Sequence, residues 1–437
     1  MSDGYSIAAG SVDITPQAPI PLAGYATLRK PTFERVADPL EANVAILRHG
    51  DQTIVFVALD LMYVGAFLRD AVVNALAGRI PPEAIFTSAC HTHAGPPTED
   101  SLPILGAVTP EYRNLVAQRV SELALQLLAG AFVPVSLEYL EGSAAHSINR
   151  RKRGFGISRN FPFLGQQVTL KPNPSGPRDD TIRMIRIRDG AGKDVAVCWS
   201  YACHPVGYPL LDEVSAEYPG VVRSTLRGSL GNIPAIFWQG FSGNTAPLGT
   251  VRPMVFRAAT LQDWRAWAEG LARCVQDTAG GAGTPLSGPI ACNVRTLPLH
   301  ALGLSSDKQV RFHEIRLGPQ LIICGLNAEV AVEYVEILRR LHAPVQVIPV
   351  GCVGDVYGYL PVDAMVREGG YEARGFVPRF GLRGSFVANV EEIVTERLFC
   401  AAGPACSEAQ GRAAHQSGAA VVERGGDRQA PTRTVDV

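Results

Sequence analysis

Two histidines stand two residues apart in Ser88-Ala89-Cys90-His91-Thr92-His93-Ala94-Gly95-Pro96, directly behind the apolar run Ala84-Ile85-Phe86-Thr87. The run predicts a short strand and the Gly-Pro stops it, so both imidazoles leave a strand end on one face. Neutral imidazole is the commonest protein ligand for metals such as zinc, and loops at strand ends are where sites are usually placed. A bare His-x-His also describes an incidental surface pair, so further ligands must come from elsewhere. Cys203-His204-Pro205 repeats the placement behind Val195-Ala196-Val197-Cys198-Trp199-Ser200-Tyr201, and Glu329 follows Gln320-Leu321-Ile322-Ile323-Cys324-Gly325. His91, His93, His204 and Glu329 thus all lie past apolar strands, on what can be one rim of a sheet. His, His, Glu with a position left for water is a standard catalytic zinc set. Residue types alone take the reading as far as a metallohydrolase.

The elements that must carry these residues read as an α/β fold, with mixed β-sheets flanked by helices and a zinc site at strand-end loops. Ala42-Asn43-Val44-Ala45-Ile46-Leu47 and Thr53-Ile54-Val55-Phe56-Val57-Ala58-Leu59 predict strands joined by a hairpin turn at His49-Gly50-Asp51. Asp60, ending the second run, is either a site residue or a helix N-cap. Thr109-Pro110 opens a scaffold helix stopped by Gly130, and residues 260–279 form a second amphipathic helix. Residues 143–177, rich in Arg, Gly, Pro and Asn, read as a long loop with little regular structure. The small-residue loop Gln239 to Pro247 would let backbone N–H groups face a ligand, and Glu329 is expected in the first turn of a helix. Residues 1–400 read as one hydrolase domain, and the Gly, Ala, Ser, Arg and Gln composition of 401–437 predicts a disordered tail.

Composition narrows the partners. With 40 basic against 41 acidic residues and net charge −1, the chain has no basic field for nucleic acid, so a small-molecule substrate is expected. No uninterrupted apolar segment is long enough to span a bilayer, and the N-terminus shows no secretion signal, so a cytoplasmic location is expected. Nine scattered cysteines without a C-x-x-C pair read as reduced and mostly buried. Oligomeric state is not written in the sequence.

Beyond residue types, the chain resembles the catalytic domain of the neutral/alkaline (non-lysosomal) ceramidases over nearly all of residues 8–400. The pieces are Asp13-Ile14-Thr15-Pro16 followed by Gly24-Tyr25, His91-Thr92-His93-Ala94-Gly95-Pro96, Ile148-Asn149-Arg150, Cys203-His204-Pro205, the Gln239 to Pro247 loop, Glu329, and Tyr359 to Glu372, in the family's order. The resemblance implies a ceramidase-like zinc amidase fold with one Zn2+ per chain, held by His91, His204, Glu329 and Tyr359. The family places a second active-site Tyr, followed by Glu, twelve residues after the ligand tyrosine; Tyr371-Glu372 fits Tyr359, with Tyr357 as the competitor. The resemblance also implies His93 and Tyr371 as proton-transfer or oxyanion-stabilising groups and Arg150 as a substrate contact.

Three departures from the family stand out. Gly243-Asn244-Thr245-Ala246-Pro247-Leu248 puts Ala246 where the family has a serine often assigned as nucleophile, so hydrolysis is expected to use zinc-bound water, or Ser242 or Thr245 from a different place. Leu360-Pro361-Val362-Asp363-Ala364-Met365 replaces the family's segment behind the zinc tyrosine, and neither the family's immunoglobulin-like C-terminal domain nor a secretion signal is expected from these residues. The expected activity is zinc-dependent hydrolysis of a linear amide, an N-acyl compound that need not be ceramide. The alternatives are zinc-dependent acyl transfer, cyclisation or condensation in specialised metabolism, or a non-catalytic ceramidase-like binding protein.

Overall fold

The computed structural model describes residues 4–25, 28–157, 164–252, 255–256 and 259–400; the expected tail at 401–437 lies outside them. Apart from two two-residue strands, the first strands along the chain are β1 (Tyr5–Asp13), β2 (Glu41–His49), β3 (Gln52–Leu59), β4 (Ile85–Ala89), β5 (Val133–Ser143), β6 (Ser147–Ile157), β7 (Leu164–Asn173), β8 (Thr181–Asp189), β9 (Asp194–Tyr201) and β10 (Ala235–Gln239). Eight of them form one sheet in the order β10-β9-β8-β5-β1-β2-β3-β4, and Thr284–Leu286 adds a ninth strand on β5. β11 (Thr245–Pro247) pairs with the hairpin of β6 and β7. A second sheet follows, β12 (Ile290–Pro298), β13 (Gln309–Leu317), β14 (Leu321–Leu326) and, after the two-residue β15 (Glu329–Val330), β16 (Gln346–Val350); β17 (Tyr359–Leu360) pairs with β15. The helices used below are α1 (Gly65–Ala75), α2 (Pro110–Ala129), α3 (Glu217–Leu230), α4 (Leu261–Ala279) and α5 (Tyr334–His342).

Period-two alternation sorts the strand residues into layers. On β3, Ile54, Phe56 and Ala58 face the second sheet and pack with Phe86, Trp238, Ile323 and Ile348. Val55, Val57 and Leu59 face the other way, onto Leu68 and Val72 of α1 and Val116 and Val120 of α2. Val197 and Trp199 do the same on β9, beneath Val222 and Leu226 of α3 and Trp264 and Leu271 of α4. The second sheet repeats the rule, with Ile322, Cys324 and Leu326 turned toward Tyr334 and Leu338 of α5. Helices, sheet, sheet and helix therefore stack in that order, which is why β3, β4, β9 and β10 read as nearly unbroken apolar runs. Truncating fully buried Trp238, which touches Phe56 and Phe86, should cost about 3–5 kcal/mol.

The fold class, the 49–51 hairpin and the 110–129 helix stand as expected, and Thr260 caps α4 through the Asp263 N–H at 3.1 Å. Four expectations are corrected. Residues 143–177 are largely the β6–β7 hairpin, because ion pairs to Glu372 and Glu368 hold its arginines where apolar alternation would normally hold a strand. Glu329 lies in β15, not in a helix, whose first turn begins five residues later. Asp60 neither caps a helix nor reaches the site; it accepts the Glu41 N–H at 2.9 Å and pairs with Arg223 at 2.6 Å. Cys90, Cys198, Cys203, Cys324 and Cys352 are free and buried, whereas Cys400 departs from the expected reduced state and is disulfide-bonded. Among the described residues no helix is long and apolar enough to cross a membrane.

Candidate active site

Loops leaving the carboxyl ends of β4, β9, β10, β14 and β16 converge, and each of these strands has a parallel neighbour. The crevice beyond such strand ends is where α/β sheets place ligands. Backbone bonds tie the loops together: the Ala89 N–H donates to the Cys352 carbonyl at 3.2 Å, that of Gly351 to Gln239 at 2.8 Å, and that of Gly243 to Val330 at 2.8 Å.

His91 directly follows Ala89 and Cys90 at φ 69°, a left-handed conformation that costs a non-glycine residue about 1–3 kcal/mol. Its N–H bond to the Leu61 carbonyl, 2.9 Å, holds it there. His91 Nδ1 lies 3.0 Å from the Met62 carbonyl, which can only accept, so Nδ1 carries a proton and Nε2 is the atom turned to the site. His204 Nδ1 faces the Ser242 carbonyl at 3.4 Å, with Arg150 Nη1 slightly farther at 3.5 Å. The two Nε2 atoms are 3.1 Å apart, and Glu329 Oε2 stands 3.5 and 3.7 Å from them. That oxygen is buried without a hydrogen-bond partner among the described residues, while Oε1 accepts from the Tyr63 hydroxyl. A buried carboxylate oxygen left unpaired beside two imidazoles is costly unless a cation joins them. Nδ1-to-carbonyl bonds are also how metal-binding histidines are oriented, so the donor set fits zinc.

Without a cation the three groups perturb one another. Burial opposes charge on His91, but Cys352 and Glu329 beside it outweigh this and raise its pKa well above the usual value. Burial likewise opposes ionisation of Glu329, and His91 and Arg150 outweigh it in the other direction. His204 is pushed well below the usual imidazole value, by burial first and then by Arg150.

Tyr359 reaches the site through strand pairing. β15 and β17 run parallel with Glu329 directly beside Tyr359, and the Tyr359 hydroxyl accepts from Arg150 Nη2 at 3.2 Å. Tyr359 lines the cavity described below; Tyr357 does not, and its buried hydroxyl has no partner among the described residues. Arg150 is fixed by Glu372 Oε1 at 2.9 Å and the Gly243 carbonyl at 2.7 Å, and Arg151 takes Glu372 Oε2 at 2.8 Å. Neighbouring strand residues normally point apart; a register shift between Asn149 and Arg151 lets both reach one carboxylate. The Tyr371 ring stands 5.4 Å from that of Tyr359, and burial, followed by the charge of Glu329, pushes its hydroxyl up to about 12.

His93 is gripped on all sides. Glu217 Oε2 accepts its N–H at 2.8 Å, Arg29 donates to its carbonyl, and the Tyr25 ring lies 5.2 Å from its imidazole. Gly24, at φ 90°, packs so close that a Cβ there would come 2.5 Å from His93 Nδ1. Both ring nitrogens are buried and unpartnered among the described residues, and one ring nitrogen from each of His91, His93 and His204 lies within 4.8 Å of the other two. Burial, then His91, Arg29 and Arg150, hold its pKa well below the usual value, so the ring is neutral near pH 7.

The Gln239 to Pro247 loop is corrected in one respect. The N–H groups of Gly240, Gly243 and Thr245 already donate within the protein, to Tyr201, Val330 and Ser242, and do not face a ligand. The Ser242 hydroxyl is bonded by Gln239, and that of Thr245 donates to the Ala202 carbonyl at 3.0 Å. Ala246 lines the cavity, a space of about 800 Å³. Its lining combines polar side chains, His93, Arg150, His204, Glu329, Tyr359 and Tyr371, with apolar ones, Leu28, Met62, Leu105, Val206, Leu211 and Phe256. Glu217, Tyr63 and Arg29 are site residues that residue types did not reveal; none belongs to a motif, and each acts on a partner far away in sequence.

The fold and site together define an α/β protein in which a buried group of histidines that could hold a metal ion lies beside a cavity of mixed polar and apolar lining. No protein-family model matches the sequence, and no curated protein matches it. Among solved structures, the chain is similar to the neutral ceramidase of Pseudomonas aeruginosa at 15% identity and a TM-score of 0.71, over 88% of this chain and 72% of that one. It is equally similar to a ceramidase complexed with C2, at 15% identity and a TM-score of 0.71, over 91% of this chain and 76% of the other. The ceramidase-like fold expected from the motifs is the fold of this chain.

Proposed function

We propose that this chain is a zinc-dependent hydrolase of a linear amide, an N-acyl compound. The observation that carries the reading is the convergence of His91 Nε2, His204 Nε2 and the unpartnered Glu329 Oε2 on one point beside the cavity. The fold shared with neutral ceramidase, whose name describes an amide substrate, supports it.

His91, His204, Glu329 and Tyr359 would hold the ion, which when bound supplies a Lewis acid and brings the pKa of its water toward 7. Neutral His93, whose ring nitrogens have no partner among the described residues, can take a proton from the attacking water and pass it to the leaving amine. Arg150, held rigid by Glu372, and the protonated Tyr371 hydroxyl are the donors available to a developing oxyanion. The apolar lining residues cover an acyl chain.

The test is metal analysis of the purified protein together with turnover of a panel of N-acyl amides before and after chelation. About one zinc per chain, and hydrolysis lost on chelation and restored by zinc, is the expected result; hydrolysis indifferent to chelation would refute the reading. A changed reaction, acyl transfer or condensation at the same centre, is favoured by one observation: Ala246 faces the cavity where the resembled family carries a serine.

A further inference from the structure

We propose that the substrate carries a carboxylate close to its scissile amide and that Arg379 receives it, making the substrate an N-acyl amino acid, not an N-acyl amino alcohol. The inference rests on the amide-hydrolase reading and names its substrate class.

Arg379 lies in the turn Pro378–Phe380 and lines the cavity. Its guanidinium is 5.7 Å from the centre of the Tyr371 ring, which is itself 5.4 Å from the Tyr359 ring. One aromatic ring, that of Tyr371, therefore stands between it and the proposed ligand tyrosine. The neighbouring arginines are spoken for: Arg150 and Arg151 share Glu372, and Arg153 pairs with Glu368. Arg379 makes no ion pair or hydrogen bond with another described residue, so its charge is left for something that enters the cavity.

The charge of the walls points the same way. Arg379 lines the cavity with Glu329 as the lining carboxylate, which binding of a divalent cation would neutralise, while Arg150 is balanced by Glu372. Arg29 adds a second cation behind His93 and Tyr25, with Nε and Nη1 buried and unpartnered among the described residues. A cleft of one sign with low-dielectric walls concentrates ligands of the other sign. Together with the apolar lining residues Leu28, Leu211 and Phe256, this selects an amphiphile with one apolar chain and one compact anion. Because Arg379 is exposed, the contact is solvated, and its contribution is the modest, salt-sensitive kind.

The experiment compares an N-acyl amino acid with its methyl ester, same acyl chain, on zinc-loaded wild type, Arg379→Gln and Arg379→Glu at low and high salt. Binding of the non-hydrolysable ketone isosteres of acid and ester is measured in parallel by calorimetry. Wild type should favour the acid about tenfold in kcat/KM and in affinity, less at high salt. Arg379→Gln should erase the preference and Arg379→Glu reverse it, with zinc content and thermal midpoint unchanged. Equal treatment of acid and ester by wild type, or a preference surviving in Arg379→Gln, overturns the assignment. An isostere preference that depends on Arg379 without hydrolysis of any acyl compound would sink the hydrolase reading and leave the anion site standing; no binding and no turnover would sink both.

Discussion

The carboxylate of Glu217 accepts the backbone N–H of His93 at 2.8 Å while Arg29 closes on the carbonyl of the same residue. Glu217 opens α3 at φ 53°, where the helix dipole favours its charge, and takes further bonds from the Thr92 hydroxyl and the Tyr208 N–H, both 3.3 Å. Burial nevertheless pushes its pKa up to about 7, which those donors only partly offset. The helix thereby fixes the turn that aims His93. A carboxamide accepts on one oxygen only, so Glu217→Gln should turn a donor toward a donor and let His93 drift. Turnover is expected to fall about 10–100-fold with zinc content intact, read by steady-state kinetics and metal analysis; unchanged kinetics would mean the turn holds itself.

His91→Ala and His204→Ala should each lose the metal, because removing one of four ligands opens the site to water. His93→Ala should keep it and lose turnover by about 10²-fold or more. Mass spectrometry of the native proteins distinguishes the outcomes. Its three-way nitrogen cluster with His91 and His204 makes His93 the informative variant: metal loss there would make it a ligand instead of a proton carrier.

The two tyrosines separate in the same way. Tyr359→Phe removes a hydroxyl beside Glu329 and Arg150, so zinc affinity should drop, by about 10-fold or more for a lost ligand contact. Tyr357→Phe removes a buried hydroxyl with no described partner, so stability and zinc affinity should be unchanged or slightly improved. Zinc titration of both variants checks this, and the reverse ranking would exchange their roles.

Much of this was legible because strand exits announce themselves. Apolar runs ending in Cys90-His91 or Cys203-His204 mark both the strand and the residue it delivers. Tyr357 and Tyr359 could not be separated by the same means, since residues two apart share a face in extended chain; what distinguishes them is the pairing of Tyr359 with Glu329, a long-range fact. The β6–β7 hairpin was illegible because its arginines are compensated by Glu368 and Glu372, more than two hundred residues away. Glu217 gave no signal because what it recognises is a backbone N–H, which every non-proline residue has.

His313 predicts an acid sensitivity unrelated to the site. It is buried on β13, edge-on to Phe86 at 5.6 Å, and burial, then Arg311 and Arg69 against Asp355, lowers its pKa to about 3. Between the ordinary imidazole value and 3 the unfolded chain binds a proton that the folded one refuses. Stability should therefore fall as pH drops below about 6.5, by up to about 1.4 kcal/mol per unit from this residue. Urea titrations from pH 7 to 4.5 should show a shallower decline for His313→Gln than for wild type. Parallel declines would show that His313 protonates without resistance.

Ala246 is where the chain and the family it resembles disagree, and the structure sharpens the choice. The serine substitutes raised by the sequence are committed elsewhere, Ser242 to Gln239 and Thr245 to the Ala202 carbonyl, and the loop N–H groups of Gly243 and Thr245 are bonded internally. If water is the nucleophile, with Arg150 and Tyr371 meeting the oxyanion, the Ala246 methyl only shapes the cavity. Wild type should then hydrolyse its N-acyl substrate with no acyl adduct on the quenched protein. If the missing hydroxyl was what made hydrolysis possible, wild type should fail on every N-acyl amide offered while Ala246→Ser gains activity. Turnover by both zinc-loaded proteins, with mass spectrometry of the quenched enzyme, decides between them: robust wild-type hydrolysis eliminates the changed reaction, and activity confined to Ala246→Ser eliminates the hydrolase proposed above.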